Sequence, residues 1–379
     1  MKYFYIKKFI TKVICFINRF FPIRHDIIFI RRDRIGDFIL WLGCAQRIIE
    51  QNKGRKITLI CNQYTTEIAE QLGIFDTVIT ITDSFRDIRK TIGIHGKEMI
   101  SPVYSRTDKD ELISIAVMAR KKIAVDGDRV NQQERCLYKT KIYTDIIKTP
   151  EEVMPEIERN SFFCNAITDN SKEIWVADLS KLISERSISD EYYVINLGAS
   201  VFWKRWPVER FVELAAIIVQ QRKIKCVLVG SSNEYEISKQ FIDMFSGNIL
   251  NLVGKTSLIE VINILAFASF VITNDTSTVH ICAACQTKCF CVASAVHYGR
   301  FTSYPQIGSN NEPNYYLGKH RSCFGCCLEG NNMSEVCKEK LRKKEPVLCI
   351  EEISTEKIGY DIVEYMSVDC QNRKKKTSN

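Results

Sequence analysis

A chain of 379 residues is long for a single hydrophobic core, and at about 100–200 residues per domain it divides in two. Its 45% hydrophobic and 26% charged residues are the balance of a soluble globular protein. The net charge of +8 suits acidic partners such as phosphates or anionic lipid, but without a recognition motif or a strong basic stripe it argues against a nucleic-acid binder.

The chain opens with Ile6, Phe9, Ile10, Val13, Ile17 and Phe20 at helical spacing, with Lys7, Lys8, Lys12 and Arg19 between them. Lys12 interrupts the apolar stretch, no small-residue cleavage site follows, and the run is too short to span a bilayer. Residues 1–24 therefore read as a basic amphipathic helix. It either lies on an anionic membrane surface, the preferred reading, or packs on the protein's own body.

From residue 26 short β-rich runs alternate with helical periods. Strands are expected at Ile27–Arg32, Lys56–Cys61, Thr77–Ile81, Glu98–Tyr104 and Lys122–Val125, with helices at Phe38–Glu50, Thr65–Leu72 and Leu112–Ala119. The alternation fades over residues 140–190, where Pro150 and Pro155 mark an interdomain connection. It restarts with strands at Tyr192–Leu197, Cys226–Gly230, Ile249–Leu252, Phe270–Thr273 and Cys289–Ala293. Helices are expected at Glu209–Gln221, Tyr235–Phe245, Leu258–Ala268 and Thr278–Cys285, then a terminal helix at Glu351–Met366 and an inert basic tail, Arg373–Lys376. This is an α/β protein of two Rossmann-like, doubly wound parallel sheets, with domains at 25–170 and 171–350 and a C-terminal segment at 351–379. Ligands of such sheets bind beyond the carboxyl ends of the strands.

Four loops at those ends carry candidate chemistry. Arg32-Asp-Arg-Ile-Gly-Asp37 follows the first strand; Asp37 is either a helix cap or a general base. Gly198-Ala-Ser-Val-Phe-Trp-Lys204-Arg205-Trp206-Pro207 offers a closely approached backbone at Gly198 and cations for a diphosphate at Lys204 and Arg205. In Gly230-Ser-Ser-Asn-Glu234 the glutamate either accepts from ribose hydroxyls or serves the helix dipole. Asn274-Asp275-Thr276-Ser277-Thr278-Val279-His280 opens a helix whose N–H groups and hydroxyls suit a phosphate; His280 is by default structural.

The sixteen cysteines sit largely inside apolar runs, which reads as free thiols in a reducing, cytoplasmic setting. Cys323, Cys326, Cys337 and Cys349 have a spacing that admits a structural zinc, but reduced thiols are preferred. Asp126-Gly-Asp128 imitates a metal-binding D-x-D and reads instead as a turn.

The order of these motifs resembles glycosyltransferase family 9, the lipopolysaccharide heptosyltransferases, from about Ile27 to Ile353. The resemblance lies in Arg34-Ile-Gly-Asp37, Lys121-Lys-Ile-Ala-Val125, Lys204-Arg-Trp-Pro207, the Gly230…Glu234 spacing, Gly254-Lys-Thr-Ser-Leu258 and Asn274-Asp-Thr…His280-Ile-Cys-Ala-Ala. It implies a GT-B fold, two Rossmann-like domains facing across a cleft, with the acceptor on the first half and a nucleotide-diphosphate sugar donor on the second. It also implies an inverting, metal-independent transfer, most familiarly of heptose from ADP-heptose to a lipopolysaccharide or lipooligosaccharide core precursor. In that scheme Asp37 takes the acceptor proton, Lys204 steadies the leaving diphosphate, Thr276 and Ser277 hold it, Asp275 the sugar and Glu234 the ribose. The enzyme would act at the inner face of the bacterial inner membrane as a peripheral protein. Ser277 departs from the family, which usually has Gly there; strain at a positive φ would alter the donor site. A different nucleotide sugar, a capsule or other surface glycan, or a catalytically silent nucleotide-sugar-binding module are the alternatives.

Overall fold

Unbroken apolar runs such as Ile27-Ile-Phe-Ile30 and Tyr192-Tyr-Val-Ile195 suit strands covered on both faces, and all eight of these side chains are buried. The computed structural model describes residues 2–133, 141–305, 312–328 and 333–377, with the side chains of 2, 3 and 369–377 outside the description. The chain forms two compact units, Met1–Leu182 and Ile183–Asn379.

The first unit begins with α1 (Lys2–Asn18). Its sheet takes β1 (His25–Ile30), β2 (Ile57–Cys61), β3 (Thr77–Thr80), β4 (His95–Ser101), β5 (Met118–Val125) and β6 (Asp145–Ile147) in the order β3-β2-β1-β4-β5-β6. Every pairing is parallel, with Ile28 opposite Thr58 on one side and Met99 on the other. The helices are α2 (Ile35–Gln51), α3 (Thr66–Leu72), α4 (Asp108–Ala116) and α5 (Glu156–Ile167), the last packed on α2. At Gly43 of α2 an added Cβ would meet the Trp175 carbonyl oxygen at 2.5 Å, so only glycine lets that backbone approach.

The second unit repeats the plan. Its strands are β7 (Tyr192–Asn196), β8 (Lys225–Leu228), β9 (Ile249–Asn251), β10 (Val271–Asn274), β11 (Cys289–Val292) and β12 (Asn314–Tyr316), all parallel in the order β12-β11-β10-β7-β8-β9. Around them lie α6 (Val208–Gln221), α7 (Tyr235–Met244), α8 (Leu258–Ala266), α9 (Ser277–Ala284), α10 (Glu335–Lys343), α11 (Leu348–Glu351) and α12 (Thr355–Thr377). The strand order reverses between β1 and β4 and again between β7 and β10, and these switch points are where doubly wound sheets place ligands.

The expected strands and helices all occur, shifted by a few residues. Five elements escaped the sequence pattern, two of them the three-residue β12 and the four-residue α11. β6 has three residues, all at least partly exposed. α5 buries Glu156, Arg159, Asn160 and Asn165, which hides its apolar period. α10 is mostly charged and has no fully buried residue; only Cys337 and Leu341 pack partly against the core. The terminal helix starts later than expected and runs on through Thr377, so the basic run Arg373–Lys376 belongs to α12 instead of a loose tail; its side chains lie outside the described residues. Ile358 and Ile362 of α12 are buried in the second core, beside α6.

The N-terminal helix packs on its own unit. Phe4 is buried against Leu112 and Ile115, Ile14 enters the sheet core, and Asn18 donates to Thr91 O (2.9 Å) and Ala116 O (3.0 Å). No helix among the described residues is long and apolar enough to cross a membrane.

Candidate active site

In the first unit the chain leaves β1 through Arg31 and Arg32, both buried. Arg31 donates to the Asp37 carbonyl at 2.8 Å and pairs with Asp33 at 3.1 Å. Arg32 pairs with buried Asp110 at 2.9 Å and with Asp83 at 3.1 Å. Two guanidiniums thus fix the path of this loop, and Asn62 adds a bond to Arg32 O at 2.6 Å. Asp37 sits in the first turn of α2. The N-cap is Arg34, in extended conformation and without a side-chain cap, so Asp37 is the acidic residue of the first turn and not the N-cap itself. Asp33 is pushed up to about 7 by burial, with Arg31 opposing and the carboxylates of Asp37, Asp110 and Glu156 adding to the rise.

In the second unit Lys204, Asp275, Gly198 and Glu234 gather beyond the carboxyl ends of β7, β8 and β10. Lys204 Nζ lies 2.6 Å from Asp275 Oδ2, and the two side chains are only 16% and 4% exposed. Asn274, the last residue of β10, holds the Lys204 loop. Its Nδ2 donates to Leu197 O (2.8 Å) and Gly198 O (3.2 Å), and its Oδ1 accepts from Trp206 N (2.9 Å). Asn196 accepts from Gly198 N at 3.0 Å and donates to Thr278 at 2.7 Å, tying the same loop to α9. Trp206, buried, donates through its indole to Ile353 O at 2.9 Å. Arg205 turns back to Ala199 O.

Gly198 has a reason that the sequence did not reveal. A Cβ there would stand 1.7 Å from Glu234 Oε1, and one at Gly230 would stand 2.4 Å from Oε2. The close approach is made by the protein's own carboxylate. Glu234 also completes a capping box with Ser231, accepting from its N–H at 2.5 Å, so the helix-start reading of this residue is realised.

Thr276 caps α9, accepting from Thr278 N at 3.3 Å, and Ser277 is the first helical residue. Ser277 is not among the described residues with positive φ, so the strain feared at this position is absent. His280 is buried within the unit, its Nδ1 3.1 Å from the Tyr304 hydroxyl and the rings stacked; burial lowers it to about 4, which keeps it neutral.

A profile of Glycosyltransferase family 9 (heptosyltransferase) matches residues 75–305. The chain belongs to glycosyltransferase family 9. It is 26% identical over 122 residues to lipopolysaccharide heptosyltransferase 2 of Salmonella typhimurium, covering 31% of this chain and 34% of that protein. Over 85 residues it is 31% identical to lipooligosaccharide heptosyltransferase 2 of Haemophilus influenzae, covering 21% and 24%. These matches thus span only about a third and a quarter of the two relatives. The structure of the E. coli ADP-heptose lipopolysaccharide heptosyltransferase II superposes with a TM-score of 0.65 at 13% identity, over 91% of this chain and 99% of that one. A dodecameric iron-containing heptosyltransferase in complex with ADP-D-β-D-heptose gives 0.57 at 13% identity, over 92% and 78%. The paired doubly wound units of this family 9 chain are those of the GT-B fold.

Two places in the chain have the residue types of a metal site. Asp126 accepts from Gly127 N and Thr149, and Asp128 from Val130 N and Ser105, so the D-x-D imitation is a turn with Gly127 at φ +82°. Cys323, Cys326, Cys337 and Cys349 line one cavity of about 380 Å³. The Cys349 sulfur accepts from Ala295 N at 3.3 Å, and burial pushes that thiol up to about 11. Among the described residues no three His, Cys, Asp or Glu side chains are arranged to hold a metal ion, and no described cysteine is disulfide-bonded. Sequence reasoning missed Arg31, Asp33 and Asp110 in the first unit and the clamp residue Asn274 in the second. Asn274 had a signal, a strand-terminal amide beside a charged loop, whereas the ion pairs of the first unit join segments about fifty to eighty residues apart.

Proposed function

We propose that this family 9 protein is an inverting glycosyltransferase that moves heptose from ADP-heptose onto a lipopolysaccharide or lipooligosaccharide core precursor. The observation that carries the reading is the Lys204–Asp275 pair beyond β7 and β10, set on a loop clamped by Asn274. A lysine held at this place offers its charge to a diphosphate leaving group, where transition-state charge is best stabilised. Thr276, Ser277 and the N-terminus of α9 receive the phosphates, Asp275 the sugar and Glu234 the ribose. Asp37, in the first turn of α2, takes the proton of the acceptor hydroxyl. The acceptor half is the first unit, the donor half the second. The names of the matched heptosyltransferases support the donor and the acceptor class.

In this reading the side chains supply the chemistry, no metal enters the transfer step, and the four clustered cysteines act as free thiols. The enzyme works in the cytoplasm, peripherally on the inner face of the inner membrane, where a lipid-borne acceptor is presented.

The test compares melting temperatures with ADP, UDP, GDP and CDP, with and without EDTA, since a bound ligand raises Tm without need of an acceptor. A shift with ADP alone, unchanged by EDTA, is expected. A preference for another base moves the donor to a different nucleotide sugar, and no shift at all returns the silent-module alternative. Asp37→Asn then keeps the ADP shift and loses about 10²–10⁴-fold in transfer rate; unchanged turnover removes Asp37 as the base.

A further inference from the structure

The face of α1 turned away from the protein is as apolar as the face turned toward it. Nine large apolar side chains between Tyr5 and Phe21 are exposed, among them Phe9 at 68%, Phe16 at 57% and Phe20 at 76%. Elsewhere in the described residues exposed large apolar side chains fall mostly singly, which is ordinary for a protein surface. At about 100° per residue the exposed helical positions 5, 6, 9, 10, 13, 16 and 17 form one stripe, and exposed Phe20 and Phe21 follow in the turn after it. The buried Phe4, Thr11, Ile14 and Asn18 form the opposite one. Lys8 and Lys12 lie on one flank between the two, and Arg19 follows in the turn after the helix. Residues 1–25 contain six Lys or Arg and no Asp or Glu.

A self-packing helix needs only the buried stripe. Asn18 bonds Thr91, Ala116 and Gly93, and Phe4 and Ile14 enter apolar clusters, so the helix is fixed in orientation with the second stripe held outward. We propose that this outward face, centred on Phe9, Phe16 and Phe20, is a membrane-docking surface that lies in the headgroup boundary of an anionic bilayer. Aromatic and aliphatic side chains enter the acyl boundary while the flanking cations meet lipid phosphates. The charge pattern decides for lipid over a second copy of the chain, because two copies of an acid-free cationic helix repel when stacked face to face. The inference rests on α1 alone and is independent of which sugar the enzyme transfers.

Flotation of the full-length protein with vesicles tests it. Vesicles of phosphatidylcholine mixed with phosphatidylglycerol are expected to carry the protein, and those of phosphatidylcholine alone to carry far less. The variant Phe9→Asp/Phe16→Asp/Phe20→Asp abolishes flotation, while Val153→Asp, at another exposed apolar position of the same unit, leaves it unchanged. Lys8→Glu/Lys12→Glu/Arg19→Glu removes the preference for the anionic lipid, reducing binding about tenfold or more. Circular dichroism and the ADP thermal shift of each variant report whether the body and its nucleotide site survive. A protein that fails to float with either vesicle, or floats equally well in the triple-aspartate variant, overturns the proposal. So does a concentration-dependent dimer, seen by sedimentation, that the same variant dissolves. Retained flotation in a protein with no nucleotide shift would count against the transferase reading and leave the membrane surface standing.

Discussion

Arg31 and Arg32 leave the end of β1 side by side, and the acids around them are too many for two cations to satisfy equally. Asp110 is paired directly with Arg32, while Asp33 shares Arg31 with the Asp37 carbonyl and feels three further carboxylates. Burial, with these neighbours, pushes Asp33 up to about 7 from 3.8. Its neutral form therefore favours the fold: the contribution is complete below about pH 4 and is lost as pH rises through about 7. Asp33→Asn cannot ionise, so its melting temperature should gain on the parent between roughly pH 5 and roughly pH 8, each ~1 kcal/mol appearing as about 2–4 °C. Scanning fluorimetry across that range decides the point; a flat or falling difference would show that the charged form is the favoured one. None of this was legible in the sequence, where Asp33 is one more polar residue of a loop. Lys204 and Asp275 were legible as separate candidates because each follows a strand in a recognisable motif. Their pairing was not, since it depends on how two loops seventy-one residues apart meet at the sheet edge.

At the level of elements, most strands and helices could be read because parallel strands leave unbroken apolar runs and their covering helices leave a 3.6-residue period. α5 shows where this fails, since five of its inward positions are polar or charged. α9 shows a subtler case. The departure from glycine at Ser277 suggested strain, but the turn is made by the extended Thr276, φ −141° and ψ 179°, and Ser277 is already helical. Ser277→Gly should consequently relieve nothing. It is expected to cost at most about 1 kcal/mol of stability and, by loss of a hydroxyl from the proposed phosphate site, to weaken ADP binding about 2–10-fold, read by calorimetric titration with ADP. A large gain in affinity would reveal a steric role for the serine side chain.

For the molecule as a whole, each unit has its own six-stranded sheet, and Ile183–Asn379 holds the continuous apolar cluster that runs from Tyr193 to Met366. A fragment spanning residues 183–379 should accordingly melt cooperatively and keep the nucleotide-dependent rise in Tm, while catalysing no transfer. Loss of the nucleotide response in a folded fragment would assign part of the donor grip to residues 1–182. The Lys204–Asp275 pair has a last consequence under the proposed roles. The lysine is paired with the aspartate, so in that scheme a diphosphate competes with the carboxylate for it, and a carboxylate so displaced needs a new partner. The sugar hydroxyls of an intact donor provide one. The spent nucleotide does not, so under those roles the aspartate would compete for its lysine once the sugar has left, and the same pair would favour release of the product.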